Sequence, residues 1–252
     1  MNPVLKKFGV VVVLHGKGAN DVLQNYPAIF EKLDALSIPV VLVDHGAHSF
    51  GEKDFVRNNI EYISQENKGF GSGVNQGCRA LFKSCQYAIV LNPDLHFAVE
   101  ELLDIGSGLS NSFGVIETQE HGIKRGIRFY NQFTGVVSDN PSRYTVPYFN
   151  GAAFCVSKEL FEKTGGFDEK FFLYFEDLDY SMQLKSLSIP LAIIQSNSFV
   201  HKVGGTREHG KSLEIERAAS LSGLRFVYKW LTWNIWLYVR YCLKWILANH
   251  RI

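Results

Sequence analysis

The sequence predicts an α/β fold built on a mostly parallel central sheet. Three short runs, residues 9–14, 39–43 and 87–91, are apolar and rich in β-branched side chains, which is typical of parallel strands buried on both faces. Segments with helical spacing separate these runs. Strands that alternate with helices favour a parallel sheet with right-handed crossovers.

The same patterns predict the remaining elements in chain order. We predict helices over 21–36, 75–83, 158–164 and 176–187, and strands over 62–64, 113–117, 124–129, 152–156 and 191–194. Residues 134–148 show no clear period, so this stretch is predicted to be rich in loops. No internal repeat or low-complexity linker occurs, which indicates one compact domain with a C-terminal appendage.

Composition excludes several classes of protein. The 252 residues carry a formal charge of +1, so no basic excess indicates nucleic-acid binding. The four cysteines form no CxxC pair and no zinc-type spacing, which favours reduced thiols in a cytoplasmic protein. No run of about 18 apolar residues predicts a spanning helix, and the apolar run at 10–14 lacks the cleavage site of a signal peptide.

Polar residues follow three of the predicted strands. His15, Asp44 and Asp94 come directly after or close behind runs 9–14, 39–43 and 87–91. Ligands of open α/β sheets bind beyond the carboxyl ends of the strands. The sequence therefore predicts a binding site at this edge of the sheet.

A glycine-dense segment, 67–77, precedes a predicted helix. Glycines let backbone amides approach a phosphate or a sugar closely, and helix N-termini favour anions. The segment matches neither a dinucleotide-binding fingerprint nor a Walker A loop. A plain tight turn and a ligand-binding loop are equally compatible with it.

Two acidic segments could do chemistry. Asp94, in Asn92-Pro93-Asp94, could hold a hard divalent cation, although an Asx-type turn explains the same residues. Glu176, Asp177 and Asp179 follow the aromatic run 171–175. Helix capping explains one or two of these acids, whereas a carboxylate beside an apolar wall can serve as a general base.

His201 follows an apolar pair and precedes a Gly-Gly turn. A structural hydrogen bond and a ligand role are equally compatible with a histidine in this position. A neighbouring glycine turn would suit a site closed by a mobile loop.

Taken together, these segments resemble the inverting GT-A glycosyltransferases of family 2, in particular the bacterial rhamnosyltransferase-like branch. The matching segments are Val43-Asp44, 67–77, Leu91 to Asp94, Asn150-Gly151-Ala152, Gly165 to Glu169 with Phe171-Phe172, Glu176 to Asp179, and His201. They occur in the family's order and span about residues 8–206, with 165–179 the most specific part. The resemblance implies a Rossmann-like GT-A fold.

The resemblance also implies roles for individual residues. Asp177, with Glu176 beside it, would be the catalytic base, and Asp94 and His201 would bind Mn²⁺ or Mg²⁺. The nucleotide sugar would be bound by His15, Asp44, Lys68, Gly69, Gly73, Asn75, Asn92 and Gly151. The implied reaction is a metal-dependent hexosyl transfer with inversion. Asn92 in place of the first acid of a DxD motif, and His45-Gly46 after Asp44, depart from the usual pattern.

The resemblance suggests dTDP-L-rhamnose as the first donor to consider, followed by a UDP-hexose. The acceptor would be a polyprenyl-diphosphate-linked saccharide used for bacterial surface polysaccharide such as O-antigen. A catalytically inactive binding subunit and a nucleotidyltransferase are the rival interpretations. A nucleotidyltransferase would need a basic, glycine-rich first loop, and residues 15–18, His-Gly-Lys-Gly, resemble such a loop only weakly.

All four tryptophans and a basic stripe lie near the C-terminus, where Glu216 is the last acidic residue. On one continuous helix, the last five cations would fall within an arc of roughly 100°. We therefore predict a glycosyltransferase domain at 1–210 and a membrane-associating segment at 211–252, with membrane contact through 225–252 on the inner face of the cell membrane. Packing on the domain or in a homodimer is the alternative.

Overall fold

The structure is a computed structural model, and it describes residues 6–15, 22, 26–46, 59–201 and 213–250. Most of the loop at 15–18, residues 21 and 23–25 of the first predicted helix, and the Gly-Gly turn after His201 lie outside the described residues.

Fourteen strands are present in the described residues. They are β1 (Lys6–Leu14), β2 (Val40–Asp44), β3 (Ile60–Ser64), β4 (Cys85–Leu91), β5 (Leu95–His96), β6 (Phe113–Ile116), β7 (Thr118–Glu120), β8 (Ile123–Arg125), β9 (Ile127–Asn131), β10 (Val137–Ser138), β11 (Thr145–Phe149), β12 (Ala153–Ser157), β13 (Ala192–Ile194) and β14 (Val200–His201).

The helices alternate with these strands in the first part of the chain and form a pair at its end. They are α1 (Pro27–Ala35), α2 (Phe70–Leu81), α3 (Val99–Gly108), α4 (Lys158–Thr164), α5 (Glu176–Ser186), α6 (Leu213–Trp230) and α7 (Ile235–His250).

The central sheet has seven strands in the order β13-β6-β12-β4-β1-β2-β3. Strands β4, β1, β2 and β3 run parallel, and β13 runs parallel to β6. Of the described strands in this sheet, β12 alone runs antiparallel to its neighbours, β4 and β6. The predicted mixed α/β fold with a mostly parallel sheet is therefore confirmed.

Helices cover both faces of this sheet because successive side chains of a strand point to opposite faces. Val11 and Val13 of β1 face the layer that contains α2, α4 and α5. Val10, Val12 and Leu14 face the opposite layer, which contains α1 and α3. Burial on both sides explains the continuous apolar runs of β1, β2 and β4.

Helix α2 begins at Phe70, so the prediction of a turn before a helix at 75–83 was wrong. Its glycines allow the helix to lie close to the sheet. A Cβ on Gly73 would lie 2.6 Å from Cγ1 of Val13, and one on Gly77 would lie 2.4 Å from Cγ1 of Val11. Close helix–sheet packing therefore explains glycines that the sequence alone left open.

A three-stranded sheet, β10-β9-β11, takes part of the stretch 134–148 that was predicted to be loop-rich, through β10 and most of β11, while the rest of the stretch lies outside strands. This sheet packs with α5 and the C-terminal helices in a third core. The buried members of that core are Tyr130, Val146, Tyr148, Phe171, Leu178, Phe226, Val227, Leu231, Leu237 and Tyr241. The C-terminal helices therefore share a core with the helix that carries Asp177.

The C-terminal segment forms two helices, so the prediction of one continuous basic stripe was wrong. Helix α6 ends at Trp230, and Asn234 starts α7 by accepting a hydrogen bond from the Leu237 amide at 3.0 Å. Arg225 and Lys229 belong to α6, whereas Arg240 and Lys244 belong to α7. Among the described helices, none has the length and apolar character needed to cross a bilayer.

Candidate functional site

The strand-end residues meet at one edge of the sheet, as predicted. In the parallel register, Leu14 pairs with Asp44 between β1 and β2, and Val12 pairs with Leu91 between β1 and β4. His15, Asp44 and Asn92 therefore follow strand ends that lie side by side. The candidate site is built around this edge.

Asp44 and His45 form the part of the edge nearest β3. Oδ1 of the buried Asp44 accepts a hydrogen bond from the Gly46 amide at 2.7 Å, and the Tyr62 hydroxyl donates to Oδ2. The amide nitrogen of Gln65 lies 3.1 Å from Nε2 of His45. Burial, and then the neighbouring His15, lower the pKa of His45. Neighbouring side chains therefore fix Asp44 and a neutral His45 in place.

Gly69 occupies a position that only glycine can fill. Its φ is +96°, and a Cβ there would lie 2.3 Å from the carbonyl oxygen of Phe172. The Gly69 amide donates to Oδ1 of Asn67 at 3.0 Å, and the neighbouring Lys68 is exposed. The start of α2 therefore touches the loop that precedes α5.

Asn75 is fully buried. Its side-chain nitrogen donates to the Phe167 carbonyl and to Oε1 of Glu169, both at 2.9 Å, and its oxygen accepts from the Phe167 amide at 2.8 Å. These contacts hold the segment 165–169 against α2. The contact with a nucleotide that was predicted for Asn75 stays an untested prediction.

Asp94 and His201 lie together because β14 pairs with β5, with His201 opposite Leu95. Nε2 of His201 is 3.1 Å from Oδ1 of Asp94, and its Nδ1 is 2.9 Å from Oε1 of Glu120. Glu120 also accepts from the Asn150 amide at 2.9 Å. A polar chain therefore runs from Asp94 through His201 and Glu120 to Asn150.

The positive charge of His201 is balanced by the carboxylates of Asp94 and Glu120. Burial lowers the pKa of His201, but hydrogen bonds to Asp94 and Glu120 outweigh burial and raise the pKa to about 9. The hydrogen bond from His201 lowers the pKa of Glu120, and Arg125 lies 3.2 Å from Oε2 of Glu120. Sequence patterns did not reveal Glu120 because its contact with His201 depends on the pairing of β7 with β14.

The donors of Asp94 and His201 suit a divalent cation. An oxygen and a nitrogen 3.1 Å apart have the separation of neighbouring ligands on an octahedral ion bound at about 2.1 Å. Ions of this type commonly take only one or two protein ligands and complete their shell with phosphate and water. Within the residues described, no group of three or more His, Cys, Asp or Glu side chains is arranged to hold a metal.

A cavity of about 430 Å³ opens beside the polar chain. Its polar lining includes Asn92, Asn150, Arg128, Glu176 and Asp177. Aromatic walls come from β9, β11, the start of α2 and the loop before α5. Because Asn150 lines the cavity and bonds Glu120, it connects the cavity to Asp94 and His201.

Gly151 also lines the cavity, and the space around it is open. A Cβ at this position would lie 3.7 Å from Cε1 of Phe70 and 3.9 Å from Cβ of Asp177, which are ordinary contacts. A larger side chain would therefore project into the cavity rather than disturb the fold.

Glu176 and Asp177 begin α5 at the cavity wall. Burial and then the neighbouring Asp177 raise the pKa of Glu176, and burial raises the pKa of Asp177. Oε2 of Glu176 is shielded from water and has no hydrogen-bond partner among the described residues. Oδ1 of Asp177 accepts from the Leu178 amide at 2.7 Å. The cavity therefore holds a carboxyl pair that binds protons more tightly than ordinary acids do.

Asp179 has a different role from its neighbours. It is fully buried, and its carboxylate accepts from the Trp230 indole at 2.7 Å and from Lys229 at 3.0 Å. Lys229 also donates to Asp168 at 3.0 Å. These contacts join α5 to α6, about 50 residues away in the chain, so local sequence patterns could not reveal them.

Comparison with known proteins supplies a context for this geometry. No protein-family model matches the chain. A curated relative, the low-salt glycan biosynthesis hexosyltransferase Agl10 of Haloferax volcanii, is 22% identical over 209 residues. The match covers 76% of this chain and 66% of that protein, so the chain spans slightly less than two thirds of its relative.

Solved structures resemble the whole architecture. One is a mannosyltransferase from Pyrobaculum calidifontis, solved in complex with GDP-mannose and Mn²⁺. It has a TM-score of 0.60 and 12% sequence identity, and the match covers 97% of this chain and 73% of the mannosyltransferase chain. Another is a 4-diphosphocytidyl-2C-methyl-D-erythritol synthase from Anaerococcus prevotii, with a TM-score of 0.51 and 14% sequence identity. That match covers 76% of this chain and 88% of the synthase chain. The chain therefore has a glycosyltransferase-like fold of the GT-A type, with a C-terminal helical pair.

Proposed function

We propose that the protein is a glycosyltransferase that transfers a hexosyl group from a nucleoside-diphosphate sugar to an acceptor hydroxyl, with inversion at the anomeric carbon. The observation that carries the proposal is the half-buried carboxyl pair Glu176–Asp177, which lines a cavity at the carboxyl edge of the parallel sheet. The hexosyltransferase relative supports the reaction class.

Asp177 serves as the general base in this proposal. Its carboxylate removes the proton of the acceptor hydroxyl while that oxygen attacks the anomeric carbon from the side opposite the leaving diphosphate. Burial raises the pKa of Asp177, which makes its ionised form a better proton acceptor than an exposed aspartate. A single displacement needs no covalent enzyme intermediate, in contrast to retaining hydrolases with two carboxylates.

Asp94 and His201 would hold the divalent cation, Mn²⁺ or Mg²⁺. When bound, the cation supplies positive charge that stabilises the leaving diphosphate. Glu120 fixes the orientation of His201 through Nδ1, and Asn150 links Glu120 to the cavity. The complex of the mannosyltransferase with GDP-mannose and Mn²⁺ supports a cation in this fold.

The remaining predicted residues contact the donor in this proposal. Asp44 contacts the nucleobase, residues 67–77 lie beside base and ribose, and Asn92 and Gly151 border the sugar. dTDP-L-rhamnose is the first donor to test, and a UDP-hexose is the alternative. The acceptor is a lipid-linked saccharide at the cytoplasmic face of the membrane, used in making a surface glycan.

Thermal unfolding with a panel of dTDP, UDP and GDP, each with Mn²⁺ or Mg²⁺, tests nucleotide binding directly. A ligand that binds only the folded state raises the unfolding temperature. We expect one nucleotide to do so only with a cation, and Asp94→Asn to abolish the shift. If no nucleoside diphosphate shifts unfolding under either condition, the proposal fails.

A nucleotidyltransferase stays the second candidate, because a synthase from Anaerococcus prevotii whose name includes a diphosphocytidyl group shares the fold. That reaction releases diphosphate from a nucleoside triphosphate, which a coupled diphosphate assay detects. The pair Glu176–Asp177 at the cavity wall favours sugar transfer, because that reaction requires a base for the acceptor hydroxyl. A catalytically inactive binding subunit would bind a nucleotide sugar yet show neither transfer nor donor hydrolysis.

A further inference from the structure

Helix α7 has apolar residues on two opposite faces. Leu237, Tyr241 and Ala248 are buried on the inner face. At 100° per residue, the outer face holds Ile235, Trp236, Val239, Leu243, Ile246 and Leu247, each between 42% and 75% exposed. A contiguous exposed apolar face rimmed by polar residues marks a surface that binds another protein or a membrane. The outer face therefore requires a partner.

The turn at residues 132–136 places further exposed apolar side chains beside the start of α7. The Asn234 amide donates to the carbonyl of Gln132 at 2.8 Å, and Arg240 donates to the carbonyl of Thr134. The ring of Phe133 lies 4.9 Å from that of Trp233. The turn is therefore fixed to the start of α7, and it presents Phe133 and Val136, which are 46% and 54% exposed.

The turn also reaches the cavity. Gly135 and Val137, the neighbours of Val136, both line it. A Cβ on Gly135 would lie 3.1 Å from Cδ2 of Leu237, so the turn passes close to α7 as it reaches the cavity. The exposed apolar side chains of the turn therefore lie next to the cavity that is proposed to hold the acceptor.

Charge identifies the partner. No acidic residue follows Glu216 in the chain, and Arg240 and Lys244 flank the outer face of α7 on one side. Tyr238 and Trp245 flank it on the other side, each more than 40% exposed. An apolar helix face bordered by cations and by Trp and Tyr suits the interface of a bilayer that contains anionic lipid.

We propose that the outer face of α7 and the turn at residues 132–136 form one composite surface that binds an anionic lipid bilayer. The inference rests on the proposed membrane location, but not on the proposed catalytic step. Because the surface adjoins the cavity, the lipid part of an acceptor stays in the bilayer while its saccharide enters the cavity. The prediction from sequence covered only 225–252, and the turn adds a second, distant segment.

Co-sedimentation of the full chain with vesicles tests the proposal. We expect binding to phosphatidylcholine vesicles containing phosphatidylglycerol, and weaker binding to phosphatidylcholine alone or at high salt. The double variant Leu243→Glu/Ile246→Glu should lose binding. Val136→Asp should weaken binding about tenfold, because it removes one apolar side chain from the interface and adds an anion. Leu36→Asp is the matched control, since Leu36 is 52% exposed after α1.

Three results would overturn the proposal. The first is no binding of the unmodified chain to anionic vesicles. The second is a Val136→Asp variant that binds as Leu36→Asp does, which would reduce the surface to α7 alone. The third is a stable dimer by light scattering that Leu243→Glu/Ile246→Glu dissociates, since a second copy would then cover the face. Thermal unfolding of each variant confirms folding, and its nucleotide-dependent shift reports the proposed donor site separately.

Discussion

Asp177 and Asp179 lie two residues apart on α5, but their carboxylates have opposite environments. Asp179 is buried against Lys229 and Trp230, which satisfy its carboxylate. Asp177 faces the cavity beside Glu176 and forms no ion pair within the part of the chain that the structure describes, and burial raises its pKa. A buried carboxylate with a cationic partner is a structural element, whereas one without such a partner is available for proton transfer.

Glu120 has an environment that differs from those of Asp177 and Asp179. Its hydrogen bond with His201 lowers its pKa, so it stays ionised and can orient that imidazole. Three acids within one fold thus have three separate roles, which are set by their partners rather than by their residue type. Substitutions should therefore affect activity, metal affinity and stability separately.

The largest expected effect is the loss of transfer in Asp177→Asn. Removing a general base should lower kcat by about 10²- to 10⁴-fold. In the unmodified chain, the rate should rise with pH through a pKa above the usual aspartate range, because only ionised Asp177 accepts a proton. Initial rates from pH 4 to 9 measure both effects. An unchanged rate would remove Asp177 from the chemistry, provided that nucleotide-dependent thermal shifts show intact donor binding.

The next largest expected effect is a loss of metal affinity when Glu120 is replaced. Glu120 differs from Asp177 and Asp179 because it is proposed to act through His201. Loss of a group that orients a ligand typically costs about 10- to 100-fold in metal affinity. We expect this loss of Mn²⁺ affinity in Glu120→Ala, measured by calorimetry with the nucleoside diphosphate present. Glu120→Gln keeps an acceptor for His201 and should recover part of the affinity. Equal affinity in all three proteins would show that His201 does not need Glu120.

Trp230→Phe tests the structural side of the comparison. It removes the indole donor from the buried carboxylate of Asp179 and should lower the free energy of unfolding by about 1–3 kcal/mol. Trp236→Phe, on the exposed outer face of α7, is the matched control and should change it by less than about 0.5 kcal/mol. Urea denaturation measures both. Equal stability of the two variants would contradict a structural role for Asp179.

The last expected effect is a gain in stability. The pKa of Glu176 is raised in the folded state, so the folded protein binds more protons than the unfolded chain. The resulting stability is present at low pH and is lost as pH rises through the folded pKa. Glu176→Gln should therefore raise the free energy of unfolding at pH 9, because it removes a buried ionised carboxylate beside Asp177. Little change is expected at pH 4, where an unmodified Glu176 is already neutral.

Much of the fold follows from local patterns in the sequence. The apolar runs that became β1, β2 and β4 needed only their own residues to be recognised, and the parallel register then brought His15, Asp44 and Asn92 together. Helix α3 was missed, although it spans Val99–Gly108. The break before α7 was also missed, although Asn234 is a good helix-capping residue.

The parts of the site that sequence reasoning missed depend on contacts between distant segments. Glu120 reaches His201 only because β14 pairs with both β5 and β7. Asp179 reaches Trp230 only because α6 packs on α5. The roles predicted for Asp177, Glu176, Asp94 and His201 stay predictions, which the substitutions above test.

The two residues just before Glu176 adopt left-handed backbone conformations. Tyr174 has φ of 61° and Phe175 has φ of 70°, a conformation that costs a residue with a side chain about 1–2 kcal/mol. Glycine would relieve this strain at 174, where Tyr174 is 40% exposed at the cavity wall. An engineer who seeks a more heat-resistant protein would choose Tyr174→Gly, and would lose an aromatic wall of the proposed acceptor site. The strained backbone at 174 therefore lowers stability while it holds an aromatic ring at the wall of the cavity.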